Sequence, residues 1–149
     1  MADISDKKIV HIHLGDQKYK TVMTAGNHEL ISDEPENVGG KDEGPDPYDY
    51  LLMALGSCSV ITMKMYAERK KWPVEDIYVE VRQHKAHAED CKDCDDPKAR
   101  IDKIEKEITV KGDLSDEQVQ RLLEISKKCP VHKTLLSEVA IDSEIERRR

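Results

Sequence analysis

Apolar and polar positions alternate over residues 8–14, KIVHIHL, the two-residue period of a strand with one buried face. Gly15-Asp16 supplies a turn, and residues 17–24 predict a second strand. Gly26-Asn27 supplies another turn and His28 to Ser32 a third strand, so the chain opens as an antiparallel meander. Residues 33–46, DEPENVGGKDEGPD, form a polar loop rich in Gly and Pro, too long for a plain connector. Asp46 then suits an N-cap, Pro47 the first helical position and Asp49 the third, which predicts a helix running to about Lys71, before Trp72-Pro73. From Tyr50 to Met63 apolar residues cover nearly every face, so this helix is expected to be central and enclosed.

The second half repeats the alternation. Ile77, Val79 and Val81 mark a strand over 77–84, and Ile104, Ile108 and Val110 mark another over 101–111, with a polar loop carrying Cys91 and Cys94 between them. Ser115 and Gln118 form a capping box for a second helix, whose apolar face holds Val119, Leu122, Ile125 and Cys129. Pro130 ends or kinks that helix at Cys129. A short helical piece to Ser137 follows, and Val139, Ile141 and Ile145 predict a last strand. The order implies an α+β fold with a mostly antiparallel sheet, in one domain spanning residues 1–149.

Composition changes this picture in two ways. Charged residues make up 37% of the 149, and there is no Phe, so the core is thin for the length and a dimer sharing a core is expected. The net charge of -7 disfavours nucleic acid and anionic membranes as partners. The chain opens without the pattern of a signal peptide. Residues 50–66 are short for a membrane span and are interrupted by Gly, Ser, Thr and Lys. A cytoplasmic location is therefore expected, with the cysteines at 58, 91, 94 and 129 mostly reduced.

Cys58 stands in the middle of the apolar helix among Gly56, Ser57 and Ser59, small residues that let another backbone or a ligand come close. Cys129 stands beside the break at Pro130. Two such thiols could reduce a peroxide and close a disulfide, although spacing alone favours two buried structural cysteines.

The segment GPDPYDYLLMALGSC, Gly44 to Cys58, resembles the signature of the OsmC/Ohr superfamily of osmotically induced and organic hydroperoxide resistance proteins, and KCPVHKTL, Lys128 to Leu135, is similar to that family's Cys-Pro-Val segment. DEPENVGG, MYAERKKWP and CPVHKTLL look most like its YhfA-like branch. The resemblance implies an OsmC-like fold, antiparallel sheets on a central buried helix, in an intertwined homodimer. It implies reduction of organic hydroperoxides by Cys58 and Cys129, Cys58 attacking and Cys129 resolving. It also implies reset by a dithiol of lipoyl or thioredoxin type, with no cofactor required. A non-enzymatic small-ligand or zinc-binding stress protein on the same fold is the alternative.

Where the hydroperoxide reductases carry an activating arginine in the N-terminal sheet, this chain has no arginine before Arg69, and their glutamate position falls on Tyr48. Asp49, next to it, is the carboxylate retained as a site candidate. Lys18, Lys20, His28, His132 and Lys133 are the candidate cations, with His132 foremost as the third residue after Cys129. Tyr48, Tyr50 and Met53 are candidates to line an apolar pocket. A further constellation, His84, His87, Cys91 and Cys94, has ligand types suited to zinc, provided the chain turns between the histidines. The charged run from Lys98 to Glu107 reads as the wet face of a strand and its approach.

Overall fold

The computed structural model describes residues 7–87 and 100–149. They form two compact units, Met1–Leu51 and Leu52–Arg149, with one long helix running from the first into the second.

The first unit is the expected meander: β1 (His11–Leu14), β2 (Thr21–Ala25) and β3 (His28–Ser32), antiparallel in that order. The second strand starts at Thr21 rather than residue 17, because the chain turns through Lys18 with a left-handed φ of 52° and the Lys20 amide donates to Gln17 O. Ile12, Met23 and Leu30 lie in register across the sheet. They share a face with Val10, and this face, with Pro47 and Tyr50, walls an apolar groove of about 530 Å³. Asp33, only 3% exposed, organises the loop after β3: its carboxylate accepts from the amides of Glu34, Lys41 and Glu43. Those three bonds hold its pKa below the ordinary carboxylate range, the Glu34 amide contributing most and burial opposing.

Helix α1 (Pro47–Lys70) begins as its cap residues dictate. The Asp49 amide donates to Asp46 Oδ1 at 2.8 Å and the Asp46 amide to Asp49 Oδ2 at 3.0 Å, a reciprocal box. It runs on past residue 66, and by length and composition alone it is apolar enough to cross a membrane. It is not enclosed within the chain as expected. Leu55, Ser59, Met63 and Ala67, four apart along one face, are buried, whereas Met53, Ile61 and Met65 on other faces are more than half exposed.

In the second unit β4 (Val74–His87) and β5 (Arg100–Gly112) form a long antiparallel ribbon, followed by α2 (Asp116–Ser126) and α3 (Pro130–Leu136). Met63, Ala67, Val74 and Leu122 make the core, with Tyr66, Trp72, Ile77, Ile108, Val110 and Leu114 packed around them. Gly56 lets α1 come down on β4: a Cβ there would meet Val81 Cγ2 at 3.1 Å and Val79 Cγ1 at 3.4 Å. The small residue serves helix-on-sheet packing. Ser115 and Gln118 form the predicted capping box on α2, which ends at Ser126, and Cys129 becomes the N-cap of α3. The expected last strand does not form. After Leu136 the chain is irregular, and Val139, Ile141 and Ile145 are exposed because no neighbouring strand edge pairs with them among the described residues.

Candidate functional site

The break at Pro130 shapes one side of the site. Proline cannot be preceded by helix without a clash, so Cys129 leaves the helical region (φ -66°, ψ 144°) and caps α3 instead. Its sulfur accepts the His132 amide at 3.3 Å and touches Ser59 Oγ at 3.6 Å. Cys58, one residue before Ser59 on α1, stands close by: Cys129, the Val131 amide and the Thr62 side chain all act on its thiol. The structure therefore joins the two predicted thiols, as free cysteines. Cys58 is partly exposed, whereas Cys129 is wholly buried.

The cation beside them is a residue the sequence reading passed over. Lys106 on β5 sends its ammonium to Ser59 Oγ at 3.0 Å, Ser126 O at 3.0 Å and His132 Nδ1 at 2.9 Å. This is not the wet face of a strand. Ile104, Ile108 and Val110 set the inward period of β5, and Lys106 falls in step with them, opposite Val81 of β4. A polar residue at an inward position was the available signal. Glu105 and Glu107 alternate outward and pair with His84 and Arg82.

The electrostatics divide the thiols. Burial pushes the Cys58 thiol up, and its contact with Cys129 adds to that. Burial is also the largest influence on Cys129, but the His132 amide, the Ser59 hydroxyl, the Cys58 thiol and the Lys106 charge together outweigh it and bring Cys129 below an ordinary thiol. Burial lowers the Lys106 pKa, with Cys129 and then Cys58 opposing.

His132 is at the site, but not as its cation. Burial first, then the ammonium groups of Lys106 and Lys127, hold its pKa down, and an imidazole that accepts at Nδ1 from an ammonium is the neutral form. Asp49 is occupied by the helix cap. Lys20 pairs with Glu43 at 3.3 Å, the Lys18 ammonium lies over the Tyr19 ring, and His28 and Lys133 are exposed. Tyr50 lines the groove of the first unit and donates its hydroxyl to Ile31 O, while Tyr48 and Met53 stand mostly in solvent.

Of the zinc candidates, Cys91 and Cys94 lie outside the described residues. Strand β4 continues through both His84 and His87 with no turn between them, and the His84 ring is held by Glu105 at 2.9 Å. Among the described residues no group of His, Cys, Asp and Glu could hold a metal ion.

The family model for OsmC-like proteins matches residues 40–144. Among solved structures the chain is similar to an OsmC-like protein of Mycoplasma pneumoniae, at 18% identity over 89% of each chain with a TM-score of 0.70. It is also similar to the organic hydroperoxide resistance protein OsmC of Legionella pneumophila, at 16% identity over 89% of this chain and 91% of that one, TM-score 0.63. An organic hydroperoxide resistance protein of Elizabethkingia anophelis matches at 14% identity over 89% and 90%, TM-score 0.64. At such identities the likeness establishes the fold. No curated protein matches the sequence.

Proposed function

Because the chain belongs to the OsmC-like protein family, we propose that it is a cytoplasmic, thiol-dependent reductase of organic hydroperoxides. The observation that carries this reading is that Cys58 neighbours Ser59, whose hydroxyl touches the Cys129 sulfur at 3.6 Å and accepts from the Lys106 ammonium, so two thiols on separate elements act on one another with an ammonium close by. A dithiol can take two electrons' worth of oxidation and close a disulfide where its sulfurs can meet. The partly exposed Cys58 meets the peroxide, its sulfur attacks the O–O bond, and the alcohol departs. Cys129 then displaces water from the Cys58 sulfenic acid. A small dithiol of lipoyl or thioredoxin type returns two electrons and two protons. Two neighbours carrying hydroperoxide resistance in their names support the substrate class.

The protein is further proposed to work as a homodimer. Exposed Met53, Ile61 and Met65 on α1, with Ile12 and Leu30 on the first sheet, are more large apolar side chains than a lone chain leaves in water, and a second copy is the occupant that fits. Sedimentation should give twice the mass of the chain.

The activity test is consumption of an organic hydroperoxide by the purified protein with a dithiol reductant. Turnover should vanish in Cys58→Ser, and in Cys129→Ser it should stop after one equivalent, with Cys58 left oxidised. An unchanged rate in Cys58→Ser sinks the reading.

A further inference from the structure

We propose that Lys106 is the positioning residue of the pair, keeping its single negative charge on Cys129, so that Cys58 waits as a thiol and Cys129 is the base that takes its proton. The proposal deepens the reductase reading and rests on it.

The geometry points to Cys129 through all three of the ammonium's donors. An ammonium has three N–H groups, and those of Lys106 go to Ser59, which touches the Cys129 sulfur, and to Ser126 and His132, the third residues before and after Cys129. Among the described residues no carboxylate pairs with Lys106. A half-buried ammonium without a counter-charge is costly, and a thiolate on Cys129, linked to it through Ser59, supplies one. Ser59 completes the link. It is wholly buried, it accepts from Lys106, and its own proton has two acceptors, Leu55 O at 2.9 Å and the Cys129 sulfur at 3.6 Å. The hydroxyl can turn toward the sulfur when the sulfur is charged. The shifts of the two thiols, Cys129 down and Cys58 up, agree with this placement.

Chemistry then follows with every proton placed. At rest the site holds Cys58–SH, the Cys129 thiolate and the Lys106 ammonium. As a hydroperoxide ROOH binds, the Cys58 sulfur attacks the terminal oxygen and its proton moves to Cys129. The O–O electron pair leaves with RO, which recovers that proton from Cys129 to depart as ROH. Cys58 is now a sulfenic acid and Cys129 again a thiolate, ready to attack it. The S–S bond forms, hydroxide leaves, and the Lys106 ammonium protonates it to water. The two sulfurs have lost two electrons and the O–O bond has gained them. Disulfide formation removes the thiolate and the ammonium charge together, so no buried charge is stranded.

The test is the ultraviolet titration of the thiolates, in full-length protein with Cys91 and Cys94 replaced by Ser so that only the pair absorbs. The groups acting on Cys129 are Cys58 and Ser59 from α1, Lys106 from β5 and His132 from α3, while Lys127 acts on Lys106 and His132. With Cys58→Ser, Cys129 should titrate at least about one pH unit below the Cys58 of a Cys129→Ser protein, the size expected from a nearby opposite charge. Lys106→Met should raise the Cys129 midpoint by about one unit, and Lys106→Arg should keep most of the shift. If Lys106→Met does not fold, Ser59→Ala carries the test by cutting the link, with the same upward direction. A Cys58 that titrates lower than Cys129, or a Cys129 midpoint unmoved in a folded Lys106 or Ser59 variant, overturns the proposal. Hydroperoxide turnover is read separately. Titrations as expected without turnover uphold the charge placement and sink the activity; turnover with the order of the thiols reversed does the opposite.

Discussion

Gly56 is where helix α1 and strand β4 come closest, and Gly56→Ala sets two known effects against each other. Within a helix, alanine is favoured over glycine by about 0.8–1.0 kcal/mol. Against that, the new Cβ would sit 3.1 Å from Val81 Cγ2 and 3.4 Å from Val79 Cγ1. Optimal carbon contacts lie at about 3.5–4.0 Å, so one contact is short by about half an ångström. Valine is stiff at χ1 and cannot swing its methyl away; relief has to come from movement of helix against strand. Overpacking of that kind costs about 1–3 kcal/mol, so the packing penalty wins and the variant should be less stable by about 1 kcal/mol. Urea unfolding at one fixed protein concentration measures it, as a lower midpoint at unchanged slope. Val81→Ala opens the space the methyl needs, so in the Val81→Ala background Gly56→Ala should turn neutral or stabilising, a coupling of about 1 kcal/mol. Stabilisation by Gly56→Ala in the otherwise native chain would refute the reasoning, since only propensity would then be acting.

Other expectations are simpler. Met63→Ala, at a side chain with no exposure, should cost about 2–5 kcal/mol in the same assay, because the surrounding core cannot fully collapse onto the cavity. Ser115→Ala removes the acceptor for the Gln118 amide and should cost about 1 kcal/mol without affecting the thiols. Asp33→Asn should destabilise the first unit at neutral pH. The folded pKa of Asp33 lies below its unfolded value, so the stabilisation is fully present above the unfolded pKa and is lost as pH falls through the folded one. The gap between variant and native protein, followed by urea unfolding across acid pH, should therefore narrow as the pH falls; a gap that widens would contradict the assignment.

How much of this was legible in the sequence depended on whether a signal was local. The meander, both reciprocal caps and the break at Pro130 rest on residues within a few positions of one another; all are present, though β2 starts at Thr21 and α2 already stops at Ser126, leaving Cys129 and Pro130 to open α3. Burial of α1 did not follow, because an all-round apolar helix announces only that something covers it, and within one chain a single face is covered. The alternation Val139, Ile141 has the period of a strand, but a strand also needs an edge to pair with, which no local pattern supplies. The thiol pair was a candidate from its residues alone, and the resemblance is what favoured it over two structural cysteines, since its members are far apart in the chain.

The cation beside the thiols was the hardest part to read, and the reason lies in how it was sought. A search for the missing arginine looks to the N-terminal sheet and to histidine or lysine beside the cysteines. Lys106 is neither; it comes from β5, in a run so charged that one more lysine is inconspicuous. What singles it out is register. In ITV the strand has its apolar period, and counting back from Ile108 by two reaches a lysine before reaching Ile104. An inward ammonium must find acceptors or a counter-charge, so its position alone requires a polar site at that depth. Ser59 Oγ, Ser126 O and His132 Nδ1 meet that requirement, and Ser59 carries the link on to Cys129. Gly56 holds the geometry together, because it brings α1 close enough to Val81, the cross-strand partner of Lys106, for Ser59 to reach the ammonium. Gly56→Ala should therefore also loosen the grip on Cys129, and its thiolate midpoint should rise even though the substitution touches no polar atom.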